Sequence, residues 1–199
     1  MSQQLQTAVI VVLGVVIGAG LIWSHAQHHH TDDAVITAAG GHLLLYSSSH
    51  EGLAFEYPDT ATTTFKHDGP EDDDWHVLSV IDKQVLAGAT STNIDSNGEG
   101  PAAIVIIGAF DQPGNMSLAD WVKTSPHANF NLSPDKTLAS TTVGGESALA
   151  YSYDGLYRTD AVAVAHEGGI YIFTVEWMNA ADPIRTDFQN LLKTVHFIP

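Results

Sequence analysis

The chain opens on one unbroken apolar run and then settles into shorter rhythms. Residues 8–23 read AVIVVLGVVIGAGLIW, with no charge and no polar position on any helical face. At the rise of an α-helix the run spans roughly 24 Å, near the thickness of a roughly 30 Å hydrocarbon core. It predicts an N-terminal hydrophobic helix. Beyond it the period drops to two. Leu53, Phe55 and Tyr57 share one face of an extended segment, with Ala54 and Glu56 on the other. Further strands are predicted over 43–46, 75–81 and 84–89, the last two joined by a turn at Asp82-Lys83. The nearly continuous apolar run 102–110 reads as a central strand buried on both faces.

The rhythm then turns helical. Ser117 and Asp120 form a variant capping box, and Leu118, Trp121 and Val122 follow at helical spacing until Pro126 cuts the helix short. A β-meander is predicted over 136–142, 146–153, 157–166 and 170–177. Its turns are Gly144-Gly145, Asp154-Gly155 and Gly168-Gly169, where glycine supplies positive φ. A last helix starts at Asp182 with Pro183 in its first turn, and Ile184, Phe188, Leu191 and Leu192 make its apolar stripe. Residues 195–198 close the chain as an extended end. The fold class this predicts is α+β: an antiparallel β-sheet flanked by helices.

The domain order follows. Residues 1–24 are a membrane anchor or signal peptide, 25–41 a polar His-rich linker, and 42–199 a globular domain. An uncleaved anchor is the favoured reading, with the membrane engaged through residues 8–23 and the domain on the extracytoplasmic side, in the periplasm or at the cell surface. Cleavage after Ala26, at the small-x-small site Ser24-His25-Ala26, would instead release a secreted domain. The first basic residue is Lys66, so the positive-inside rule gives no orientation. Gly14 and Gly18 form a G-x-x-x-G through which two anchors can pack as a dimer.

Charge narrows the partners. The 23 acids against 7 bases give a formal net charge of −16 in 199 residues. Such a surface repels a phosphate backbone, which argues against nucleic acid as a partner. There are no cysteines, which excludes disulfides, thiolate nucleophiles, zinc–thiolate sites and a lipoprotein anchor.

Four segments in order carry a resemblance. They are Tyr46 followed by Gly52-Leu-Ala-Phe-Glu-Tyr-Pro58, then Leu118-Ala-Asp-Trp-Val122 after the central strand. Next comes Thr142-Val-Gly-Gly-Glu146 leading to Tyr151-Ser-Tyr, and last Gly169-Ile-Tyr-Ile-Phe173, a helix and Thr194-Val-His-Phe197. Together, over roughly residues 43–199, they resemble the PsbP-like domains of the bacterial envelope type. The resemblance implies an α/β/α sandwich and a binding or accessory role toward a protein partner rather than catalysis. The family has no common catalytic set to carry over. A tryptophan often found soon after the tyrosine–proline is replaced here by Asp59-Thr-Ala-Thr.

Candidate chemistry is sparse. His28, His29 and His30 with Asp32 and Asp33 combine imidazole and carboxylate ligands suited to zinc, copper or nickel. An envelope metal-binding protein using this segment is the first alternative function. Asp72, Asp73 and Asp74 with His76 form the densest acidic patch, where a hard divalent cation would find oxygen ligands. Any such metal would be weakly held, and no other cofactor is expected. Asp95 to Gly100 has the start of a calcium-binding loop, but its twelfth position is Ile106 and a strand follows. No nucleophile elbow, zincin motif or phosphate loop is present. A small extracytoplasmic hydrolase built from paired carboxylates is the second alternative.

Overall fold

The meander predicted from alternation sets the frame. In the computed structural model, which describes residues 34–67, 76–90, 103–112, 114 and 116–198, the strands are β1 (Val35–Gly40), β2 (Leu43–Ser48), β3 (Leu53–Pro58), β4 (Ala61–His67), β5 (His76–Asp82), β6 (Ala103–Asp111), β7 (Ala139–Val143), β8 (Glu146–Asp154), β9 (Arg158–His166), β10 (Gly169–Trp177) and β11 (His196–Phe197). The helices are α1 (Lys83–Thr90), α2 (Leu118–Thr124) and α3 (Pro183–Thr194). Seven strands pair antiparallel in the order β4-β5-β6-β10-β9-β8-β7. A second antiparallel sheet has the order β1-β2-β3-β11.

The period of two divides the large sheet into two buried faces. On β9 and β10, Val162, Val164, Phe173 and Val175 point to one side. There they meet Tyr46, Leu53, Phe55 and Tyr57 of the small sheet and Phe188 and Leu191 of α3. Ala161, Ala163, Ile170 and Ile172 point the other way, under Trp121 and Val122 of α2. Phe130, from the short 3-10 turns after α2, packs on that side, and Tyr151 donates its hydroxyl hydrogen bond to Ala128 O at 2.9 Å.

This corrects the expected helix-flanked α/β/α sandwich. The described residues are mostly strand, in two antiparallel sheets, and the large sheet is covered on its main face by β1-β2-β3-β11 with α3 beside it. A second sheet does the work expected of a helical layer because 43–48 and 53–58 pair with each other rather than joining the meander.

Local differences have local causes. Residues 84–89 are helical, not extended. Asp82 Oδ1 accepts the Gln84 N–H at 2.7 Å and so caps α1. A short apolar run does not by itself distinguish strand from helix, and the capping carboxylate decides it. Part of the stretch read as linker is ordered as β1, paired with β2 from Val35 opposite Ser47. β4 was not foreseen, since its threonines hide the alternation. β7 begins at Ala139 rather than 136, because Asp135 accepts the Thr137 N–H at 3.0 Å and holds that stretch in a turn. The predicted ends of α2 and α3 agree with the structure. Ser117 Oγ accepts the Asp120 N–H at 3.1 Å, and Pro183 occupies the first turn of α3.

Candidate interaction surface

β1 starts at one end of the domain and the β8–β9 hairpin projects from the other. Val35 pairs with Ser47, close to the β2–β3 turn, and Tyr171 near the start of β10 donates to Glu51 O in that turn at 2.9 Å. Trp177 ends β10 six residues later, roughly 20 Å along the sheet. It pairs there with Arg158, the first residue of β9.

The hairpin turn is closed by the Gly155 N–H donating to Tyr157 O at 3.1 Å. At its tip Leu156 is 91% exposed. Met178, one residue beyond Trp177 toward the tip, is 50% exposed. Beneath them is a tightly bonded floor. Both arginines of the chain lie against the buried Trp177 ring, Arg158 at 5.5 Å and Arg185 at 4.3 Å from its centroid. Arg185, in the first turn of α3, directs Nε and Nη2 to Asp160 Oδ2 at 2.8 and 2.7 Å and Nη1 to Ala180 O at 2.9 Å. The other oxygen of Asp160 accepts Ser152 Oγ at 3.0 Å. Arg158 Nε lies 3.6 Å from Asp154 Oδ1, a looser pair at the surface. Asp182 accepts the Met178 N–H at 3.2 Å, which fixes the step from β10 into α3. Among the described residues, Trp177 Nε1 is buried with no hydrogen-bond partner, so the indole is held by the cations on its ring.

On the opposite face of the same sheet end, burial pushes the Glu176 carboxyl above the usual carboxylate range. Burial also raises the Tyr153 phenol, against the lowering effect of hydrogen bonds to Asn129 and Thr159.

A groove of about 100 Å³ between β3 and α3 is lined by Leu43, Glu56, Pro58, Asp187, Asn190 and Thr194, among others. It is well below the roughly 300 Å³ of a typical small-molecule site. Thr194 Oγ1 accepts the Glu56 N–H there at 2.9 Å, and burial raises the Asp187 carboxyl. At the Val35 end, His166 Nδ1 lies 3.3 Å from Glu146 Oε1 and its ring stacks on Phe197 at 4.3 Å. Phe197 in turn contacts the Tyr171 ring.

Of the residues proposed from sequence as metal ligands, only His76 is among those the structure describes. His28, His29, His30, Asp32 and Asp33, and Asp72, Asp73 and Asp74, lie outside the described residues. His76 opens β5. Among the described residues no group of three or more histidines and carboxylates is placed to hold a metal ion. Nor is any described helix long and apolar enough to cross a membrane, and the run 8–23 lies outside the described residues.

No protein-family model matches the sequence, and no curated relative does. Among solved structures, the chain is similar to the solution structure of cyanobacterial PsbP (CyanoP) from Synechocystis sp. PCC 6803. The match has a TM-score of 0.52 at 13% identity and covers 81% of this chain and 96% of that one. The fold is PsbP-like. At this identity the likeness concerns the path of the backbone and leaves the surface to be read from this chain's own residues.

The cluster at the tip was not singled out from sequence. Arg158, Trp177 and Arg185 come from three elements, and only the register of the β9–β10 hairpin brings the first two together. One signal was available. The chain has only two arginines, and Leu156 stands directly after the turn pair Asp154-Gly155, where a polar residue is usual.

Proposed function

We propose that this chain is a membrane-tethered, extracytoplasmic binding or accessory domain that performs no covalent chemistry itself. The observation that carries this reading is the Leu156 tip. A single exposed leucine is ordinary. Here it is 91% exposed at the end of a hairpin whose base is fixed by two arginines, a buried tryptophan and three aspartates. A braced apolar tip loses little freedom when it docks, which is the property a binding surface needs. The apolar run 8–23 supports the tether, because β1, the first described strand, starts at the end of the domain remote from the tip. The PsbP-like fold is compatible with this role and does not specify it.

The test uses the full chain carrying a C-terminal tag. After alkaline extraction it should remain with the membranes, and protease added to the extracytoplasmic side should remove the tag. Detergent extracts should yield one or a few proteins enriched over a control carrying residues 1–33 alone. A chain that extracts as a soluble cytoplasmic protein, or that enriches nothing over this control, would contradict the reading.

A further inference from the structure

We propose that the β8–β9 hairpin tip is the docking element, and that Leu156, with Met178 at the same end of the sheet, inserts into an apolar pocket of a basic protein partner. The inference rests on the tethered-binding reading for the existence of a partner, and adds the place and the partner's chemistry.

Leu156 is 91% and Met178 50% exposed, and both lie just beyond the last register pair of β9 and β10, Arg158 opposite Trp177, at the same end of the sheet. The tip is held from both sides. Arg158 ties β9 to Asp154 of β8 and to the Trp177 ring of β10, while Arg185 ties α3 to Asp160 and to the same ring. The base of the hairpin is therefore braced, so its backbone has less freedom to lose on docking than that of a loose loop. Leucine and methionine suit an apolar pocket and offer nothing to a polar ligand.

Charge selects the partner. Arg185 is engaged with Asp160 and Trp177, and Arg158, 63% exposed, is loosely paired with the 55% exposed Asp154, so the charges at the tip offset each other and leave no net cation for an acidic ligand. The field that selects a partner is that of the whole chain, which carries −16. That field attracts a basic partner, and complementary charge raises the association rate in proportion to how little salt screens it. The same field opposes a second copy of this chain.

A photo-reactive benzoylphenylalanine placed at position 156 of the full chain, in its native membranes, tests the inference. The control is the same side chain at Lys123, exposed on α2. Irradiation should give a discrete adduct at position 156 and about tenfold less at position 123. The adduct should map to apolar residues of a protein with positive net charge. Raising NaCl from about 0.05 to 0.5 M should cut its yield about fivefold, as expected of a charge-steered complex. Adducts to lipid, to a second copy or to an acidic protein would overturn the inference. So would equal yields at both positions, or a yield indifferent to salt.

Leu156→Ser separates the two levels of the argument. Its side chain is exposed, so the variant should unfold at the same urea concentration as the wild type. If both recover the same partner equally, the tip is not the docking element and the binding reading stands. If the wild-type chain recovers no partner at all, the binding reading falls with it.

Discussion

Removing Arg185 should destabilise the domain from its surface-facing end. The side chain makes two hydrogen bonds to one oxygen of Asp160, one to Ala180 O, and a cation–π contact with Trp177 at 4.3 Å. Hydrogen bonds to charged groups contribute about 1.5–3 kcal/mol each when buried. The Arg185 side chain is 34% exposed and Asp160 16%, so the lower part of that range applies to the pair taken together. The cation–π contact adds about 0.5–2 kcal/mol. Arg185→Ala should therefore cost about 3 kcal/mol, and the terms are not strictly additive because they share one side chain. For a domain of this size that corresponds to a fall in Tm of about 6–12 °C. Urea unfolding of the full chain in mild detergent, followed by tryptophan fluorescence, measures it. Arg185→Lys keeps the charge and loses the fork, so it should recover less than half of the loss. A double-mutant cycle with Asp160→Asn should show a coupling of about 1 kcal/mol or more. A loss below about 0.5 kcal/mol for Arg185→Ala, the range of an ordinary surface substitution, would refute the bracing argument.

Other consequences concern the frame. Phe188 of α3 is fully buried between the two sheets, so Phe188→Ala should cost about 3–5 kcal/mol in the same urea assay. Gly144 has φ +59°, and a Cβ there would stand 2.7 Å from the Phe197 ring. Gly144→Ala should cost about 2 kcal/mol from the left-handed backbone alone, and more as Phe197 leaves His166, visible as a loss of near-ultraviolet circular dichroism. The raised Glu176 carboxyl sets a pH dependence with a definite sign. The folded state holds its proton more tightly than the unfolded chain, so this group's contribution to stability is full below the ordinary carboxylate value of about 4.3 and is lost as pH rises through the raised folded value. Glu176→Gln should therefore gain more stability over the wild type at pH 7 than at pH 4, and an equal gain at both would contradict the desolvation argument.

Much of the strand framework was legible because alternation of apolar and polar residues survives wherever one face is buried. It placed 146–153, 157–166 and 170–177 within two residues of β8, β9 and β10. Caps placed α2 and α3 equally well, since Ser117 and Pro183 act within one turn of the backbone they bound. Layer composition was not legible. Whether 43–48 and 53–58 join the main sheet or make their own depends on long-range pairing, and apolar periodicity is the same in either case. Local polarity misled at 61–67, where successive threonines conceal a strand, and at 84–89, where a capping aspartate outweighs a strand-like run. The candidate surface was the least visible feature. Its floor combines Asp160, Trp177 and Arg185 from β9, β10 and α3, residues that no short motif links.

The most direct test of the whole account compares recovery of the extracted partner by wild-type chain and by Leu156→Ser, from the same membranes and at equal folded amounts. The account predicts at least about a tenfold drop, the size expected when a central apolar anchor is lost from an interface. A ratio near one, with both chains equally stable, would show that the hairpin tip is not where this domain works.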